Sequence, residues 1–126
     1  MDFKQRQTIY LQIARSISEK ILQGEYLEEA KIPSIRTTAV DFQVNPNTVQ
    51  RTYEFLTNEN IIYTQRGLGY FVSNGAKKII LNSRKKDFLD DQLPVVLKNM
   101  LLLDIDLEIL IKTYNNLKNT PDENIN

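Results

Sequence analysis

Between Thr8 and Gln23 the isoleucines fall at every fourth position: Ile9, Ile13, Ile17 and Ile21, with Tyr10, Ala14 and Leu22 widening the stripe. That spacing collects the apolar side chains on one face of a helix. Thr8 suits its N-cap and Gly24 the left-handed residue just past its end. Residues 25–33 break the pattern with Glu25, Glu28, Glu29 and Pro33, so they read as a connector. Helical spacing returns with Ile35, Ala39 and Phe42, which predicts a short helix from Ile35 to about Gln43, capped by Ser34. Thr37 stands where a Glu or Gln would complete a capping box. A third helix is predicted from Pro46 to about Asn58, with Val49, Tyr53 and Leu56 inward. Asn45 is a good N-cap and Pro46 suits the first helical position. Val44 is expected to pack in the turn between these two helices.

After Asn60 the period changes. Ile61-Ile62-Tyr63-Thr64 and Tyr70-Phe71-Val72 are β-branched and aromatic runs, separated by Gln65-Arg66-Gly67-Leu68-Gly69. Two glycines in so short a span predict a tight hairpin tip with Arg66 upon it. Two short helices joined by a turn, followed directly by a hairpin, predict a winged helix-turn-helix.

Ser73-Asn74-Gly75 reads as a boundary, dividing the chain into 1–75 and 76–126. Residues 76–103 are helical in character, with Ile79, Ile80, Phe88, Leu89, Leu93, Leu97 and Met100 apolar. Pro94 is expected to kink that helix or start a new one. Asp104 is expected to cap a last helix, about Ile105 to Lys118, whose apolar side carries Leu103, Leu107, Leu110, Ile111, Tyr114 and Leu117. Thr120-Pro121 and the polar tail are expected to fray. The fold class expected is mainly α with a small β-hairpin wing: a winged helix-turn-helix domain followed by a short C-terminal helical dimerisation region. Two helices cannot bury so wide an apolar surface alone, and a second copy would cover it. The expected dimerisation residues are Leu93, Leu97, Met100, Leu101, Leu107, Leu110, Ile111 and Tyr114. A small-molecule effector pocket between these helices is the lesser alternative.

Composition narrows the chemistry. The chain has no cysteine and no histidine, which excludes disulfides, Cys/His zinc sites and histidine acid–base catalysis. No phosphate-binding glycine loop and no nucleophile–base pair is visible, so an enzyme is the weakest reading. Asp104, Asp106 and Glu108 are explained by helix capping rather than by a metal, and neither metal nor cofactor is expected. Arg84-Lys85-Lys86 with Asp87, Asp90 and Asp91 read as a solvated, internally paired helix surface. No apolar run reaches the ~18 residues of a membrane span and no secretory leader is visible, so the simplest reading is a soluble cytoplasmic protein without a membrane partner. The 16 basic residues balance the 16 acidic ones. Binding to nucleic acid would therefore depend on local placement of charge.

The third predicted helix offers that placement. Opposite its apolar side lie Asn47, Gln50, Arg51 and Glu54, with Thr48 beside them. Amides, a hydroxyl and a guanidinium can hydrogen-bond base edges and phosphates. The same residues could be an ordinary solvated face; the preceding short helix and the following hairpin favour the DNA-reading alternative. Arg66 could likewise be a plain turn charge, but on a wing it is placed to meet a groove or a phosphate. Lys31 stays open between phosphate contact and solvation.

Ile9-Tyr10-Leu11-Gln12-Ile13, Gly24-Glu25, Lys31-Ile32-Pro33-Ser34-Ile35-Arg36, Val44-Asn45-Pro46-Asn47-Thr48-Val49, Arg51-Thr52-Tyr53 and Arg66-Gly67-x-Gly69-x-Phe71-Val72 occur in an order and spacing that resembles the GntR-family winged-helix domain, over about residues 8–73. The short helical remainder resembles the YtrA-like subfamily. The resemblance implies a transcriptional regulator, and repression is the family expectation, acting as a homodimer on a near-palindromic double-stranded DNA operator. It implies DNA contact by Arg36 at the start of the second helix and by Asn45, Asn47 and Thr48 at the start of the third, and Ser34, Pro46 and Gln50 beside them complete the candidate DNA-binding set. Arg51 and Tyr53 match positions that face or approach the backbone, and Arg66, Gly67 and Gly69 match the wing tip at the minor groove. Three departures stand out. Glu28-Glu29-Ala30 replaces the usual Pro-Gly-Asp, Gln50 stands where arginine is frequent, and Thr37-Thr38 replaces the more usual Glu-Leu. The alternative, supported by the zero net charge, is a winged-helix protein-interaction module without specific DNA binding.

Overall fold

A computed structural model describes residues 8–120 of the chain, and the polar tail beyond Thr120 lies outside them. The elements run α1 (Ile9–Leu22), α2 (Ile35–Phe42), α3 (Pro46–Asn58), β1 (Ile62–Gln65), β2 (Gly69–Val72), α4 (Ala76–Asp87), a π-helical turn (Phe88–Gln92), α5 (Leu93–Leu102) and α6 (Leu107–Lys118). Two compact units divide at Arg84 and Lys85.

In the first unit the isoleucine stripe of α1 is buried at Ile13, Ala14, Ile17 and Ile21, while Ile9 at its start is exposed. They join Val49, Tyr53 and Leu56 of α3, with Ile62, Val72, Ala76 and Ile80 from the elements that follow. Ser34 Oγ accepts the Thr37 N–H (3.1 Å) and donates to the Thr37 hydroxyl (3.1 Å), so the N-cap bond forms although Thr37 does not play the capping-box acid's role. Thr38 and Ala39, not the ends of α2, are its buried residues. Gln43 adopts a left-handed backbone (φ 56°) and ends α2, and the Val44 N–H returns to the Ala39 carbonyl. Asn45 Oδ1 then accepts the Asn47 N–H (2.8 Å) to open α3.

The connector is more ordered than its composition suggests. Glu29 N–H donates to the Val72 carbonyl (2.7 Å), Val72 N–H to that of Ala30 (3.0 Å) and Ile32 N–H to that of Tyr70 (2.9 Å). Lys31 pairs with Phe71, so the hairpin gains a short third edge. Glu29 takes φ +67°, a backbone shape that glycine adopts more easily. This is the middle position at which the sequence departs from Pro-Gly-Asp. The Glu28 carboxylate accepts the N–H groups of Gly75 (2.9 Å) and Lys77 (3.1 Å) and so caps α4. Those bonds hold the Glu28 carboxyl below its ordinary range.

β1 and β2 pair antiparallel from Ile62 with Val72 to Gln65 with Gly69. The expected boundary at residue 75 moves. Ala76 and Ile80 are buried in the first unit's core, and Arg84 pairs with Glu19 of α1. The first turns of α4 therefore belong to the winged unit.

In the second unit Pro94 lies in the first turn of α5, which follows a π-helical turn. A proline lacks an N–H and crowds the carbonyl four residues before it. The π turn relieves this, with the Leu93 N–H reaching back to the Phe88 carbonyl. Asp104 does not cap the last helix. Its backbone is left-handed (φ 57°), and the Ile105 N–H bonds to the Met100 carbonyl (2.8 Å), so it terminates α5. Asp106 is the N-cap of α6, two residues later than expected. None of the described residues of the π turn, α5 or α6 is buried.

Candidate nucleic-acid interface

Three segments of the winged unit carry the candidate residues. At the start of α2, Ser34 and Arg36 are exposed, but the Ser34 oxygen already serves as the cap. At the start of α3, Asn45, Pro46 and Asn47 are exposed and Thr48 is half-buried. The Asn45 oxygen is likewise used within the helix start, which leaves its amide nitrogen as the outward group. Asn47, Thr48 and Arg51 line one open cleft of about 370 Å³ with Thr8, Ile9 and Tyr10. Gln50 does not line that cleft; its amide donates to Glu54 at 3.4 Å one turn along α3. Arg51 lies with its guanidinium 4.1 Å from the Tyr10 ring centre. The sequence pattern assigns Tyr10 only to the apolar stripe of α1, because periodicity carries no information on which residue of another helix lies across from it.

Tyr53 is corrected. It is only 1% exposed, packed behind the interface rather than upon it. Its hydroxyl donates to the Pro33 carbonyl (2.7 Å) and accepts from Thr38 (2.8 Å). Burial pushes its pKa up to about 12, against the opposing effect of the Thr38 hydrogen bond. Tyr53 thus ties α3 to the residues that lead into α2, just before Ser34 and Arg36.

On the wing, Arg66 and Gly67 are exposed and Gly69 is half-buried. Gly67 has φ +79° and Gly69 φ +113°, and the Leu68 N–H closes the turn onto the Gln65 carbonyl. A Cβ on Gly69 would stand 3.0 Å from Lys31 Cε. The missing side chain lets Lys31 lie across the base of the wing, which adds a cation that the sequence pattern leaves undecided. The described residues include no acidic group able to hold a metal ion and no helix long and apolar enough to cross a membrane.

A capped, amide-bearing helix, a short helix before it and a cation-tipped hairpin after it define the winged-helix class of DNA-binding proteins. The profile of the bacterial regulatory proteins of the gntR family matches residues 9–72. The chain belongs to that family. It is 36% identical over 115 residues to the uncharacterized HTH-type transcriptional regulator YhcF of Bacillus subtilis (strain 168), covering 89% of this chain and 93% of that one. It is 34% identical over 102 residues to the HTH-type transcriptional repressor YtrA of the same organism, covering 81% and 78%. A solved GntR-family regulator from Bacteroides thetaiotaomicron matches with a TM-score of 0.79 at 42% identity, over 87% of this chain and 96% of that one. AraR(DBD) in complex with operator ORX1 matches with a TM-score of 0.53 at 28% identity, over 56% and 84%. The chain is a DNA-binding transcriptional regulator, and the interaction module without specific DNA binding is set aside.

Proposed function

We propose that this regulator is a cytoplasmic repressor that binds a near-palindromic operator as a homodimer. Ser34–Arg36, Asn45–Thr48, Gln50, Arg51 and the Arg66–Gly69 wing of each copy form the DNA face. The observation that carries the dimer is the second unit. None of the described residues of the π turn, α5 or α6 is buried, while Leu101 and Leu102 are about four-fifths exposed and Leu107, Ile111 and Tyr114 more than half. Leu93, Leu97, Met100 and Leu110, none of them buried, add to the apolar residues these helices leave uncovered. Exposed apolar area of this kind marks an interface, and a two-fold pairing covers it on both copies at once. Such a pairing also presents two winged units to half-sites related by the same axis. The relative named as a repressor supports blocking of transcription.

Selection of bound sequences from a random duplex pool tests the reading. A palindrome of fixed half-site spacing is the expected result. Enrichment of a single, non-repeated half-site would overturn the dimer on DNA, and absence of any enriched sequence would overturn the operator assignment.

A further inference from the structure

We propose that Tyr10 is a positioning residue for DNA reading, its ring holding the Arg51 guanidinium in place before DNA arrives. The inference rests on the assignment of Arg51 to the DNA face. Arg51 and Phe55 are one turn apart on α3, and Tyr10 of α1 engages both. The Arg51 guanidinium carbon lies 4.1 Å from the ring centre. The Phe55 ring meets Tyr10 edge-on, centres 6.3 Å apart at 72°. Tyr10 is fixed through its backbone as well, because its carbonyl accepts the hydroxyl of the buried Thr52 at 2.8 Å. The backbone is thus tied to α3 and the ring packs on Phe55, with Arg51 resting against it.

The form of the contact matters for function. The ion pairs among the described residues are Lys20–Glu25, Glu19–Arg84 and Lys86–Asp90, and none involves Arg51. A carboxylate partner would occupy the N–H edges of the guanidinium. An aromatic face restrains the same group by attraction to its flat side and leaves the edges for hydrogen bonds. Arg51 and Tyr10 both line the cleft that also takes in Asn47 and Thr48. An otherwise flexible arginine is thus ordered in advance, which lowers what DNA binding must restrict.

The test is a double-mutant cycle read by fluorescence anisotropy, with the duplex enriched from the random pool and a scrambled duplex as control. Arg51→Ala should weaken specific binding about ten-fold or more, the loss of a good base or phosphate contact. Tyr10→Leu, which keeps an apolar contact for Phe55, should weaken it about five-fold, the size of a partly exposed cation–π contact. Tyr10→Phe keeps the ring and should bind like wild type. In the Arg51→Ala background Tyr10→Leu should have almost no further effect. An equal loss in both backgrounds would make Tyr10 merely structural and overturn the proposal. So would a Tyr10→Phe variant as weak as Tyr10→Leu. An Arg51→Ala protein that binds the enriched duplex as well as wild type would overturn it too, while leaving the operator assignment standing. If wild type enriches no duplex, the operator assignment itself fails and this proposal with it.

Discussion

Tyr53 connects two elements through one oxygen. Its hydroxyl can donate only once, and that proton goes to the Pro33 carbonyl, so the Thr38 hydroxyl must be the donor of the second bond. With its pKa pushed up to about 12, the group is a neutral donor across the whole range in which the protein would be handled. The apolar period of α3 points Tyr53 inward and the family resemblance brings it near the DNA backbone; helical period is the physical constraint, and it prevails. Tyr53→Phe keeps the ring and its edge contact with Tyr70 (4.8 Å between centres) but leaves the Pro33 carbonyl and the buried Thr38 hydroxyl each without this partner. The expected cost is about 1–3 kcal/mol in a urea titration. An unchanged denaturation midpoint would show that water or a side-chain shift replaces both bonds.

At the scale of elements, α4 is held by an acid that the pattern along the chain assigns only to a connector. Glu28 accepts two N–H groups at the start of α4 from nearly fifty residues away. These two bonds lower its pKa, with burial acting weakly in the opposite direction. A lowered folded-state pKa means that stability is present above the ordinary glutamate range and is lost as the pH falls through the lowered value. Glu28→Gln should therefore melt below wild type at neutral pH, and the gap should shrink on acidification, as wild type loses the charge that the variant never had. A gap that stays constant from neutral pH to below the glutamate range would rule out this cap as the source. What was legible here follows from the reach of each signal. α1, α2 and α3 were placed within a residue or so by apolar spacing together with Ser34, Asn45 and Gly24, all of which act locally. The third edge at Lys31, the Glu28 cap and the burial of Ala76 and Ile80 depend on partners far along the chain, which spacing cannot express. Pro94 showed a perturbed helix but not its form, because a kink, a restart and a π turn all relieve the same steric conflict.

For the whole molecule the balance of 16 basic against 16 acidic residues sets the kind of DNA binding to expect. A strongly cationic protein adheres to any duplex; one without net charge must rely on the local placement of a few cations. On the proposed DNA face those are Arg36, Arg51 and Arg66, with Lys31 laid across the wing base over Gly69. The three arginines are legible in the sequence as candidates, because the motifs carry them. Lys31 stays open there, because only the packed wing shows that the absent Cβ of Gly69 leaves room for it. Each phosphate neutralised releases condensed counterions, and the logarithm of affinity falls with the logarithm of salt by about 0.9 per phosphate. If all four cations of both copies meet phosphate, the slope for a dimer is at most about −7, and each arginine that reads a base instead makes it shallower. Anisotropy titrations across a salt series should give a slope between about −4 and −7 on the enriched operator. Lys31→Ala should make it shallower by about two, one phosphate for each copy, with little change in which sequence is preferred. A slope steeper than −7 would mean that basic residues outside these four, such as Lys77 and Lys78 at the start of α4, also meet the DNA backbone. A Lys31→Ala slope equal to that of wild type would return Lys31 to the solvated surface.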